Sequence, residues 1–127
     1  MSQDAPHGPS SGLARGVDLF NAGEYEEAHE AFEELWLATQ GPDSDFYKGL
    51  VQAAIALHHF QLGNLEGAMK LHAGHRRYLA TYLPSHLGLD VAAFLGEMRD
   101  VLGPAIRPVL GADLRFDPDR RPRLRPA

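Results

Sequence analysis

Cysteine is absent from this chain of 127 residues, and that excludes disulfides, thiolate nucleophiles, iron–sulfur clusters and zinc sites with cysteine ligands. No apolar run approaches the roughly 18 residues of a membrane-spanning helix. The first residues also lack the basic start and the apolar stretch of a signal peptide. We therefore expect a cytoplasmic protein whose chemistry uses imidazole, carboxylate, hydroxyl or amide groups.

Basic residues are missing from the stretch between Gly16 and Tyr47, which carries nine Asp and Glu residues. The net charge is −5, yet five of the twelve Lys and Arg residues occupy the last thirteen positions. An acidic body repels the phosphates of nucleic acid and of anionic lipid. The charge pattern therefore disfavours binding of nucleic acid or of a membrane surface through the body of the protein.

Breaker residues divide the chain into a core and two ends. Residues 1–11 are rich in Gly, Pro and Ser and are predicted to be a disordered leader. Residues 113–127 alternate Asp, Arg and Pro and are predicted to be a solvated Arg/Pro-rich tail. Residues 12–112 remain as a single all-helical domain. Because exposed charge pairs add little stability, deletion of residues 119–127 is expected to leave the melting temperature nearly unchanged.

Helical periodicity accounts for the whole core, and no strand pattern is visible. Pro104 suits the first turn of a short sixth helix. The first five helices are predicted at Leu13–Ala22, Tyr25–Thr39, Asp45–Leu62, Leu65–Leu83 and Asp90–Leu102. Short loops make consecutive helices antiparallel, and the fold class is therefore an all-α compact bundle of five to six helices.

A repeat with an offset of forty residues supports this architecture. The pattern Phe20-x-x-Gly23-x-Tyr25-Glu26-x-Ala28 recurs as Phe60-x-x-Gly63-x-Leu65-Glu66-x-Ala68. It resembles the turn of the tetratricopeptide repeat, in which an aromatic residue follows the alanine by four positions. Phe32 occupies that place in the first copy and His72 in the second. Two copies are fewer than a solenoid needs, so two tetratricopeptide-like hairpins in a compact bundle are expected.

Several polar residues fall on helix faces that are otherwise apolar. Burial of such groups without partners is costly, so those on three consecutive helices are expected to meet. The predicted polar cluster contains His29, Glu33, Gln52, His59, His72 and Arg76.

A family resemblance involves some of the same residues. The segment His29-Glu30-x-x-Glu33-x-x-Trp36, followed by Tyr47-Lys48-Gly49-Leu50-x-Gln52, resembles the small helical proteins grouped as domain of unknown function 309. Their signature is H-E-x-x-E-x-x-W, and the similarity covers about residues 13–83. The resemblance implies an all-helical fold and marks His29, Glu30, Glu33 and Trp36 as motif positions. It implies no mechanism.

Three interpretations of the cluster remain open. The first is a structural hydrogen-bonded network that fixes helix register. The second is a divalent-metal site for zinc, nickel or manganese, because imidazole and carboxylate suit these ions; its ligands would be His29, Glu33, His59 and His72. The third is a metal-free acid–base enzyme that pairs a histidine with a carboxylate one turn away.

The sequence favours a helical adaptor or scaffold over an enzyme, because the fold pattern is repeat-like and no catalytic set is complete. Its partner would be a peptide, another protein or a second copy of the chain. The alternative is a metal-dependent hydrolase or oxidoreductase that uses the motif around His29 and Glu33.

Overall fold

The computed structural model describes residues 11–106 and 115–127. The fold is an all-α bundle, as predicted, and its five described α-helices are α1 (Ser11–Asn21), α2 (Tyr25–Ala38), α3 (Ser44–Gln61), α4 (Leu65–Leu79) and α5 (Val91–Ile106). Short 3-10 turns cover Ala80–Tyr82 and Pro118–Arg120. The predicted leader, except for Ser11, and any helix beyond residue 106 lie outside the described residues.

Each helix packs on the next one along the chain, from α1 through α5. Helix α3 lies in the middle and packs against both α2 and α4, which explains why it is apolar nearly all round. Its core residues include Leu50, Leu57 and Phe60, all 4% exposed or less. None of the described helices combines the length and the apolar character that crossing a membrane requires.

The repeat seen in the sequence is also a repeat in backbone structure. Gly23 and Gly63 both adopt φ of +82°, a left-handed conformation that glycine adopts without steric cost. The amide of each glycine donates to the carbonyl of the phenylalanine three residues earlier, at 2.9 Å and 3.0 Å. Ala28 and Ala68 are fully buried at the same place in the following helix. The same turn therefore joins α1 to α2 and α3 to α4.

The stretch between α4 and α5 contains strands that the sequence analysis did not predict. Strands β1 (Ser85–His86) and β2 (Leu89–Asp90) form an antiparallel hairpin. Its two-residue turn has positive φ at Leu87 and Gly88, 48° and 81°, as a type I′ turn requires. Strands of two residues are too short to show an alternating pattern, so periodicity does not predict them.

Helix α5 also corrects the prediction of a break at Gly103 and Pro104. The helix continues through both residues to Ile106. A proline this close to the last residue removes one helical hydrogen bond. Met98 and Leu102 are fully buried on the preceding turns and hold the helix against the core.

The C-terminal residues dock on the body, contrary to the expectation of a solvated tail. The side chain of Asn21, at the end of α1, pairs with the backbone of Leu124: its Oδ1 accepts from the amide at 2.8 Å, and its Nδ2 donates to the carbonyl at 2.9 Å. The guanidinium groups of Arg121 and Arg123 both donate to the Asn21 carbonyl. Leu124 is only 4% exposed, and Arg125 forms an ion pair with Glu97 at 3.0 Å.

Docking of the C-terminal segment predicts that its removal lowers the stability of the fold. Deletion of residues 119–127 exposes the surface under Leu124 and removes the hydrogen bonds to Asn21. We expect a loss of about 2–4 kcal/mol, because burial of a leucine alone contributes about 1.5–3 kcal/mol. The melting temperature should therefore fall by at least about 5 °C, as measured by calorimetry. The exposed Arg120→Ala variant is the control and should melt like the wild type; equal melting of the truncated chain would contradict the docking.

Candidate functional site

The motif residues on α2 lie at the border between core and solvent. His29 Nε2 and Glu33 Oε2 are 3.8 Å apart, one turn from each other, and their side chains are 31% and 46% exposed. Glu30 is exposed, as helical geometry predicts. His29 and Glu33 therefore form a local surface pair along a single helix.

Trp36 is partly buried and packs against the core, where it meets a lysine of α3. The Lys48 Nζ lies 4.5 Å from the centroid of the Trp36 ring and 5.7 Å from that of Tyr78 on α4. A lysine ammonium over an aromatic face is attracted by the ring quadrupole. This contact joins three helices and gives the tryptophan of the motif a structural role.

His59 lies at the end of α3 and belongs to the turn that starts α4. Its Nδ1 is 3.1 Å from the Nδ2 of Asn64, which donates to it in the arrangement shown. The Oδ1 of Asn64 accepts from the backbone amide of Gly67 at 3.0 Å and caps α4. His59 thus orients the capping residue.

His72 and His75 form a buried pair inside the bundle, and both are 0% exposed. The Nδ1 of His72 lies 3.0 Å from the Nε2 of His75, so one of these atoms donates to the other. Their outer nitrogens, Nε2 of His72 and Nδ1 of His75, are buried without a hydrogen-bond partner among the described residues. Burial lowers the pKa of His72 to about 4, and the nearby Arg76 guanidinium lowers it further. Burial also lowers the pKa of His75 to about 3, together with the charges of His72 and Arg76.

Gln52 of α3 reaches α4 at Gly74. A Cβ atom at position 74 would lie 2.0 Å from the Gln52 Oε1, so the close approach of the amide depends on glycine there. This oxygen is buried and finds no hydrogen-bond partner in the described part of the chain. Arg76, one turn after His72, is exposed and does not enter the interior.

The predicted polar residues therefore occupy separate places rather than one cluster. No three His, Asp or Glu side chains are grouped as a metal site requires within residues 11–106 and 115–127. The predicted ligand set of His29, Glu33, His59 and His72 is not assembled into a single site. Helical geometry identified their faces correctly but did not show that His29 borders solvent, that His59 turns to a cap and that His72 pairs with a neighbour.

Two pairs were not part of the predicted cluster. His75 follows His72 by three residues on α4, and this spacing places the two rings together. The Nε2 of His86 on β1 lies 2.7 Å from the Oδ1 of Asp43, and the His86 ring contacts Phe46 edge-to-face and Tyr82 in a tilted arrangement. Residues 43 and 86 are far apart in sequence, and no local pattern predicts their meeting; the contact ties the hairpin to the loop before α3.

A groove between α4 and α5 has a volume of about 600 Å³. Residues of the same spacing line both sides of the groove: 73, 76 and 77 from α4 with 80 from the 3-10 turn that follows it, and 92, 95, 96 and 99 from α5. The floor is formed by small or apolar side chains, including Leu95 and the half-exposed Leu83. The polar side chains are three arginines, namely Arg76, Arg77 and Arg99. The groove forms only where two helices meet, so the pattern of neither helix alone predicts it.

Comparison with known proteins agrees with the resemblance seen in the sequence. Residues 13–71 match the family described as "Domain of unknown function (DUF309)". A protein of Aquifex aeolicus (strain VF5), described as an uncharacterized protein, is 29% identical over 100 residues. The match covers 72% of this chain but spans only 30% of the relative's own length.

The buried histidine pair predicts loss of stability in acid. Both pKa values are lowered in the folded state from the ordinary 6.5, so the unfolded chain binds more protons as the pH falls below 6.5. Their contribution to stability is complete above pH 6.5 and is lost progressively as the pH falls through the two folded-state pKa values, down to about pH 3. We expect the free energy of unfolding to fall by about 2–4 kcal/mol between pH 7 and pH 5, measured by urea denaturation.

A double variant checks the assignment of this effect. Replacement of the pair in His72→Phe/His75→Leu should flatten the dependence over this pH range, while His29→Gln, at a half-exposed site, should retain it. An unchanged slope in the double variant would assign the acid sensitivity to other groups.

Proposed function

We propose that this chain, whose residues 13–71 match the DUF309 family, is a non-enzymatic interaction domain that binds a helical segment of a partner protein. The binding surface is the groove between α4 and α5. The observation that carries this proposal is the combination of an apolar floor with three arginines along one open groove.

The groove has the composition of a docking surface for a helix. Amphipathic helices bind in hydrophobic grooves through residues spaced by three and four positions, the spacing that α4 and α5 themselves present. Ala73, Ala92 and Gly96 keep the floor open because they have little or no side chain. A Cβ atom built on Gly96 would meet only the Arg99 guanidinium, at 3.8 Å.

The arginines are available for a partner. No carboxylate of the described residues forms an ion pair with Arg76, Arg77 or Arg99, whereas Arg125 is already paired with Glu97. Arginine is enriched at protein interfaces because its planar guanidinium binds carboxylates in pairs of hydrogen bonds. A helix that carries apolar and acidic residues would satisfy both parts of the groove.

The placement of the histidines supports binding over catalysis. His72 and His75 are fully buried, so a substrate would have no access to their rings. His59 supports a helix cap, and Lys48 is placed over Trp36. These polar groups have structural partners, while the groove arginines have no carboxylate partner among the described residues, and Arg77 contacts only the ring of Tyr78, at 5.5 Å.

Selection from a displayed library of helical peptides tests the proposal. We expect the wild-type protein to enrich binders, and we expect these binders to lose at least tenfold in affinity for Ala73→Trp, which fills the groove. Ala38→Trp introduces the same side chain at an exposed position on α2 and should leave binding unchanged. Binders that retain full affinity for Ala73→Trp would show that the groove is not the binding surface.

A further inference from the structure

The outer face of α2 carries a stripe of acidic residues that ends in an exposed leucine. Glu27, Glu30, Glu34 and Leu37 follow one another at intervals of three and four residues and share one side of the helix. All four are exposed, and Leu37 is 72% exposed, the highest value among the large apolar side chains described. The stripe is an acidic helix face with one unburied apolar residue.

The acidic stripe is complementary to the groove between α4 and α5, which carries positive charge and no carboxylates. The groove offers the guanidinium groups of Arg76, Arg77 and Arg99 beside Leu83 and Leu95. The α2 stripe offers carboxylates followed by a leucine. The two surfaces are complementary in charge and in the order of polar and apolar groups along a helix.

The two surfaces cannot meet within one molecule. Helix α2 packs mainly on α1 and α3, and α4 packs mainly on α3 and α5, so the acidic stripe and the groove are separate surfaces of one packed bundle. A connection between them therefore requires a second copy of the chain.

We propose that the α2 stripe of one copy docks in the α4–α5 groove of a second copy. Glu30 and Glu34 face Arg76 and Arg99, and Leu37 covers the exposed part of Leu83. This proposal rests on the groove being the binding surface that we assign to the domain, and it names the partner as the chain itself.

The contact is heterologous, because each copy uses one surface to bind and presents a different surface to be bound. Such contacts build closed rings or open chains rather than simple two-fold dimers. The association is also electrostatic and solvent-exposed at its rim, and salt therefore screens it: the Debye length falls from about 10 Å at 0.1 M to about 3 Å at 1 M.

Analytical ultracentrifugation of the full chain tests self-association. We expect the weight-average mass to rise with protein concentration at 50 mM NaCl and the apparent Kd to weaken at least tenfold at 500 mM NaCl. The groove variant Arg76→Glu/Arg99→Glu and the stripe variant Glu30→Lys/Glu34→Lys should each remain monomeric over the same range. The control Arg15→Glu/Lys70→Glu makes the same charge change at exposed positions outside the groove and should still associate.

Mixing the two monomeric variants gives a result that a nonspecific charge effect would not. The groove variant keeps a normal stripe, and the stripe variant keeps a normal groove. The reversed charges of the other two surfaces are also complementary to each other, so the mixture should associate although neither variant does so alone. Circular dichroism of each variant should match the wild type, which separates loss of binding from loss of fold.

Several outcomes would overturn the proposal. A wild-type chain that stays monomeric at millimolar concentration and low salt would exclude the second copy as the occupant. So would a mixture of the variants that forms no complex, or equal association of the groove variant and the wild type. If the groove still binds displayed helical peptides in any of these cases, the interaction domain stands and its partner is a different protein.

Discussion

Burial of α3 between α2 and α4 is the constraint on which the rest of the structure depends. Ten of its eighteen residues are buried, so it is stable only when both neighbours cover it. The repeated turn at Gly23 and Gly63 reverses the chain beside α3 in the same way each time. Burial of a central helix thus requires the two hairpins, and the hairpins set the order of all five helices.

The polar residues of α3 lie where it borders its neighbours, and each has a local role there. Lys48 lies over Trp36 of α2, Gln52 reaches Gly74 of α4, and His59 positions the residue that caps α4. These contacts fix how far α3 is shifted along its neighbours, because each contact depends on one small or aromatic residue at a particular position next to it. Within the H-E-x-x-E-x-x-W motif, the tryptophan therefore takes part in helix packing, whereas the histidine and the glutamates lie at the surface.

Much of the fold could be predicted from local patterns, because the forces involved are local in sequence. The offset of forty residues located both turns, since Phe20 and Phe60 are buried equivalently and both glycines adopt the same φ. Periodicity also placed His72 inside the bundle. Periodicity could not place side chains relative to other helices. A helical wheel gives the direction in which His29 or His59 points, but it does not show which residue of a neighbouring helix lies opposite.

Contacts between distant parts of the chain were the least predictable. The docking of Leu124 depends on the single amide of Asn21, which is about a hundred residues earlier and unremarkable in sequence. The groove likewise depends on two rows of residues with similar spacing, one on α4 and one on α5. Only the folded bundle brings these rows side by side. The interior holds its ionisable groups neutral, as at His72 and His75, while the α2 stripe and the groove carry charges of opposite sign that have no ion-pair partner among the described residues. We therefore propose a binding role for those two surfaces and a structural role for the interior.

Nuclear magnetic resonance of the labelled chain tests this assignment most directly. As the concentration rises at low salt, we expect amide shifts to change at two separate places, along residues 27–37 of α2 and along the groove residues of α4 and α5. Signals of the buried pair His72 and His75 should stay constant, because the interior does not take part. Shifts confined to the docked C-terminal segment, or none in the groove, would contradict the account.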